Sequence, residues 1–192
     1  MKKPFKVYYF LAYEGHTEFV IFAYIKNRFK DVFSKSKVTF REPRNTELFS
    51  NGKLNGVKDL SDFEDKYIRI KKDYENETFL FILDDDLYHS PRIAKKIKEG
   101  RDFVQFIKYN SEFMLLRLAG HELKDISEFD SNFQEFRDYS KSEFRRVYGK
   151  DLKYIINDDF LDSVMLGLSD EDIKKNFEVI FSLCEDNENK IR

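Results

Sequence analysis

A chain of 192 residues is long enough for one well-buried core with a helical extension, and short for two full domains. With 41% hydrophobic and 36% charged residues, 7 glycines and 3 prolines, its make-up is that of a globular protein rather than a disordered or fibrous one. The single cysteine, Cys184, excludes an internal disulfide framework and a cysteine-based zinc site; no apolar run approaches the roughly 20 residues that span a bilayer, and a net charge of −2 exerts no global pull on nucleic acid.

The basic start, Met1-Lys2-Lys3-Pro4, runs into an apolar and aromatic stretch over residues 5–13 that ends directly on Glu14. This reads as a first strand buried on both faces, not as a signal peptide, so a cytoplasmic location is expected. Gly15 breaks the strand, and Thr17 is the expected cap of a helix carrying Phe19, Phe22, Ala23 and Phe29 on one face. Val38 and Phe40 mark a short second strand near 37–41, followed by a long polar loop over 43–57. Leu60, Phe63, Tyr67 and Ile70 fall at helical spacing within 59–73. Residues 79–83, Phe-Leu-Phe-Ile-Leu, are the clearest buried strand and run into three aspartates. Ser90-Pro91 suits a helix start, Gly100 its end, and 103–109 a fourth strand before an apolar helix over 113–119.

Strand and helix thus alternate four times, which predicts an α/β fold with a mostly parallel four-stranded sheet flanked by helices. From Ser127 onward the pattern turns helical, and Ser169-Asp170-Glu171-Asp172 opens a last helix. The expected organisation is an α/β core over 1–122 and a helical extension over 123–192 packed on it.

Ligands of open α/β sheets bind outside the carboxyl ends of the strands, and two acidic motifs lie at such ends. One is Glu14-Gly15; the other is Asp84-Asp85-Asp86. If the two strands are neighbours, Glu14, Asp84 and Asp86 meet at one sheet edge, with Asp85 turned elsewhere by the period-two alternation of a strand. Converging carboxylates repel unless protons or a cation offset their charge, and oxygen-only ligands suit hard cations such as Mg²⁺, with Mn²⁺ as a substitute. Such a metal activates water and polarises a phosphoryl oxygen, the chemistry of phosphodiester hydrolysis.

The order strand–Glu–Gly–helix, then a buried strand ending in Asp-x-Asp, resembles the Toprim fold of topoisomerases, primases and OLD-type nucleases. Glu14-Gly15-His16-Thr17-Glu18 is similar to the Glu-Gly-x-Thr-Glu element of the RloB-like and AbiL-type branch. That branch also carries Asn-Pro-x-Phe-Glu-x-Trp after a strand. Here Asn110 and Phe113 match, while Ser111 replaces Pro, Met114 replaces Glu and Leu116 replaces Trp; either Glu112, two positions earlier, substitutes for the missing carboxylate or the site lacks it. The resemblance covers residues 5–120. It implies a Toprim-like core, metal-dependent nuclease activity on DNA or RNA and a role in prokaryotic defence against phage. It also implies that Glu14 is a metal ligand or a general base acting through water, and that Asp84 and Asp86 are the principal ligands. Glu18, Asp85 and Glu112 are secondary candidates for the metal, Glu18 being favoured in a first helical turn by the helix dipole in any case.

His16 at the helix start, Arg41 and Arg44 beside the long loop, and Arg92, Lys95 and Lys96 after the aspartates are candidate contacts to a phosphate backbone. Basic residues also gather over 66–72 and 141–153. The alternative reading is a catalytically degraded Toprim module that binds nucleic acid or a partner. In a third reading the chain is a subunit active only beside an ATPase partner, since no Gly-x-x-x-x-Gly-Lys run is present here. No membrane association is expected, and pairing of the C-terminal helices allows a homodimer.

Overall fold

The computed structural model describes residues 6–43, 54, 56–85 and 90–189. Four strands, β1 (Val7–Tyr13), β2 (Val38–Arg41), β3 (Phe79–Asp84) and β4 (Phe103–Ile107), form one all-parallel sheet in the order β2-β1-β3-β4. This is the α/β architecture the alternating pattern predicts. Between the strands run α1 (His16–Arg28), α2 (Lys30–Lys35), α3 (Leu60–Asp73) and α4 (Ser90–Glu99). After β4 come α5 (Ser111–Leu118), α6 (Phe133–Tyr148), α7 (Asp158–Met165), α8 (Asp170–Asn176) and α9 (Glu178–Asn189).

Alternation along the strands sorts side chains onto two cores. Phe79, Phe81 and Leu83 of β3, with Ala12 of β1, pack against Phe63, Tyr67, Ile70, Ile93 and Ile97 of α3 and α4. Leu80 and Ile82, with Tyr9, Leu11 and Tyr13, pack on the opposite face against α1, α2 and α5, and that cluster continues through Phe144, Leu161, Ile173 and Phe181 of the C-terminal helices. Residues 79–83 are all at most 1% exposed, which is why they read as a near-continuous apolar run. Crossovers therefore leave β1 and β3 in opposite directions, on opposite faces. The crevice between the carboxyl ends of β1 and β3 is the topological switch point of the sheet.

Several boundaries differ from the sequence expectation for local reasons. Helix α1 starts at His16 with Gly15 as its cap residue, so Thr17 lies inside the first turn rather than capping it. The Gly15 N–H is taken by Glu18 Oε2 at 2.6 Å, which satisfies the helix entry from within. The helix also breaks at Phe29, with α2 following as a separate turn. Strand β4 stops at Ile107, because Tyr109 adopts a left-handed backbone (φ 61°) that turns the chain towards α5. The last helix is two, α8 and α9, with Ser169 capping the first by accepting from Asp172 N–H at 3.1 Å.

Two buried polar side chains tie these layers together. Asp102, immediately before β4, accepts from Tyr67 Oη (2.7 Å), Phe79 N–H (2.8 Å) and Lys71 Nζ (3.2 Å) at the amino-terminal rim of the sheet. Gln105 within β4 donates through Nε2 to the carbonyls of Phe106 (2.8 Å) and Asn176 (3.2 Å), and its Oε1 accepts from Val179 N–H (3.1 Å). The sheet thereby grips the α8–α9 junction directly.

Candidate metal centre at the switch point

Strand pairing continues past the strand ends and carries the acidic residues to the rim. Glu14 N–H donates to Ile82 O at 3.1 Å, and Asp85 N–H donates to Ile107 O at 2.9 Å. On the other side of β1, β2 pairs only as far as Phe10↔Arg41. Beyond that point Leu54 and Gly56 take its place: Leu54 N–H donates to Tyr13 O (2.8 Å) and Gly56 N–H to Glu14 O (3.0 Å). Gly56 has φ +78°, a conformation open to glycine at no steric cost, and its carbonyl accepts from Lys66 Nζ. That end of the long loop is thus a fixed part of the rim.

The same period of two decides which carboxylates meet. Glu14 follows Ala12, on the α3–α4 side, and its Oε1 accepts from Val57 N–H at 3.3 Å. Asp84 follows Ile82, on the α1–α5 side. The carboxylate that joins Asp84 is Glu18, from the first turn of α1, through a hydroxyl from the first turn of α5. Ser111 Oγ stands 3.0 Å from Asp84 Oδ1 and 3.1 Å from Glu18 Oε1.

Glu18 is 5% exposed and Ser111 2%. A hydroxyl has one proton to give, so two ionised carboxylates cannot both receive it. Burial, with the charge of Glu112 adding to it, pushes the Glu18 carboxyl above its ordinary range. A proton on Glu18 would let Glu18 donate to Ser111 and Ser111 donate to Asp84. The alternative occupant of that position is a cation. The donor set of Glu18, Ser111 and Asp84 consists only of oxygen atoms, which fits a hard divalent ion. Nearby Asn110 caps α5 by accepting from Phe113 N–H at 2.8 Å; its Nδ2 is buried with no hydrogen-bond partner among the described residues.

The remaining sequence candidates fall in different places. Glu112 is half-buried beside Ser111, lining a recess next to the pair. Asp85 is half-buried one step beyond Asp84 and contributes to raising the Tyr109 phenol above its ordinary pKa, behind burial and Asp125. His16 is exposed, its ring 6.4 Å from that of Phe19. Arg41 lies over the Tyr8 ring at 3.8 Å, engaged well below the rim. Arg92 is exposed in the first turn of α4, while Lys95 pairs with Glu99 at 3.8 Å and Lys96 is half-buried. Asp86 and Arg44 lie outside the described residues. Among the described residues no three His, Cys, Asp or Glu side chains converge as a metal-binding group, and no helix is long and apolar enough to cross a membrane.

Ser111 is the residue the sequence reasoning missed. It shows there only as a departure from a proline, and its two partners lie 27 and 93 positions away. Comparison with protein-family models, with curated proteins and with solved structures finds no match. The fold and its rim thus define an α/β protein with a four-stranded parallel sheet and a hydroxyl-bridged carboxylate pair at the switch point.

Proposed function

We propose that this chain is a divalent-metal-dependent nuclease of the Toprim class, hydrolysing phosphodiester bonds of DNA or RNA. The observation that carries the reading is the approach of Glu18 and Asp84 to one hydroxyl at the crevice where parallel sheets bind ligands. Asp84 and Glu18 would hold Mg²⁺ or Mn²⁺, with Glu14 and Asp86 as the further ligands the sequence resemblance implies. When bound, such an ion supplies an activated water and charge stabilisation at the phosphoryl group. Ser111 fixes the Asp84 carboxylate, and Gly15 lets Glu18 reach back beneath it. Assignment to the RloB-like and AbiL-type branch, and to phage defence, rests on the resemblance of residues 14–18 and 110–116.

A second reading, a degraded Toprim module that binds nucleic acid or a partner, is favoured by one observation. Ser111, at the position of the branch's proline, occupies the space between Asp84 and Glu18 with its own hydroxyl. The deciding experiment is cleavage of labelled single- and double-stranded DNA and of tRNA in Mg²⁺, Mn²⁺ or EDTA, with wild type beside Asp84→Ala. The nuclease reading expects metal-dependent cleavage that falls to the EDTA level in the variant. Wild type that neither cleaves nor binds metal leaves the binding-module reading.

A further inference from the structure

A recess of about 230 Å³ opens beside the carboxylate pair, lined by Thr17, Glu112, Lys141, Arg145, Asp151 and Lys153. Thr17 and Glu112 are the chain neighbours of Glu18 and Ser111, so the recess and the pair share a wall. Thr17 and Glu112 bring the first turns of α1 and α5 to its wall, two helix starts whose partial positive charge favours an anion. Its far side comes from α6 and the turn after it. Lys141 and Arg145 lie one helical turn apart on α6, and Lys153 adds a third cation.

The acidic residues there do not cancel this charge. Arg145 donates through Nε to Asp151, which aims the guanidinium and leaves its terminal Nη hydrogens for a ligand. Lys141 is half-buried and forms no ion pair with a described residue. Three basic side chains against two acidic ones leave the lining cationic. Lys153, which lines the recess, has its Nζ 4.7 Å from the centroid of the neighbouring Tyr154 ring, and Tyr154 is 71% exposed. An exposed ring beside an anion recess is the pairing that single-stranded nucleic acid uses: a backbone phosphate in the charged hollow and an unpaired base on the aromatic face.

We infer that the recess and Tyr154 together bind one nucleotide of a single-stranded segment, its phosphate among Lys141, Arg145 and Lys153 and its base on Tyr154. For the class of its ligand the inference rests on the nuclease reading. The C-terminal helical region then selects the substrate, and a duplex, whose bases are stacked and paired, is excluded from this grip.

The test is fluorescence anisotropy with single-stranded DNA, single-stranded RNA and duplex DNA of one sequence, in EDTA so that metal ligation is not read. Wild type should bind the single strands more tightly than the duplex. Lys141→Ala and Tyr154→Ala should each weaken single-strand binding about tenfold, with Lys141→Ala also lowering the salt dependence by about one ion. Lys141→Arg should retain binding, as should Lys175→Ala on the exposed face of α8. Wild-type affinity in both Lys141→Ala and Tyr154→Ala, equal binding of duplex and single strand, or no binding by wild type would each overturn the inference. Cleavage in Mg²⁺, run in parallel, separates the two readings. Lys141-dependent binding without cleavage sinks the nuclease and keeps the recess; cleavage with binding untouched in both variants does the reverse.

Discussion

Two buried carboxylates sit at opposite rims of one sheet, and their surroundings could hardly differ more. Asp102, at the amino-terminal rim, receives a phenol, a backbone N–H and an ammonium, and its side chain is fully buried. Glu18, at the carboxyl-terminal rim, receives the backbone N–H groups of Gly15 and of Glu18 itself and shares a single hydroxyl with a second carboxylate, with no ion pair to a described residue. A buried acid supplied with every donor it needs is a fastener. One that shares a hydroxyl with another acid has its pKa raised by burial, and a perturbed carboxyl in a crevice is a candidate for a ligand site.

The sharpest way to break this contrast is to remove the fastener. Asp102→Ala leaves Phe79 N–H and Tyr67 Oη without their acceptor and Lys71 without its ion-pair partner, though still bonded to Glu77 O. Unfolding in urea should show a loss of about 3 kcal/mol, less than for a fully buried pair because the Lys71 head is partly exposed and can rehydrate. Cleavage per folded molecule should stay at the wild-type level, and a selective loss of activity would erase the distinction between the rims.

Glu18→Gln probes the other side. In the folded chain the Glu18 pKa is raised, so the native state keeps this proton at pH values where the unfolded chain has released it. Its effect on stability is therefore most favourable at low pH and is eroded as pH rises from the unfolded value through the raised folded one. Gln carries no such proton, so the variant should lose that dependence and gain on the order of 1 kcal/mol at neutral pH. Metal binding, followed by calorimetry, should fall in the same variant. A Glu18→Gln protein less stable than wild type at every pH would make Glu18 a second fastener. The smallest effect is expected at Gly15, where a Cβ would stand 3.1 Å from Glu18 Oε2. Gly15→Ala should cost about 1 kcal/mol in the same urea titration while lowering cleavage further, since the atom it displaces belongs to the site.

The fold was legible where its causes are local. Residues 79–83 declare a buried strand by composition, and Leu60, Phe63, Tyr67 and Ile70 declare α3 by spacing. The acidic strand ends were legible as a place, since alternating elements put them at the same rim. The partnership at that rim was not. Glu14 and Asp84 leave adjacent strands on opposite faces, a consequence of register (Tyr13↔Ile82) that no single segment reveals. Glu18 reads equally as a helix-dipole residue until Ser111 is seen against it. Gln105 is an unremarkable strand position until the α8–α9 junction arrives 71 and 74 residues later.

That glutamine has a consequence for how the molecule comes apart. Its amide holds the chain between two C-terminal helices, and the aromatic and aliphatic residues of those helices fill the same core as α1 and β1. Removing residues 123–192 would take Phe144, Leu161, Ile173 and Phe181 out of that core and cost Gln105 its bonds to Asn176 and Val179, so the first 122 residues are expected not to fold as a stable module alone. Heating or denaturant should therefore dissolve the molecule in one cooperative step, and a mutation far along the chain can silence the rim without touching it.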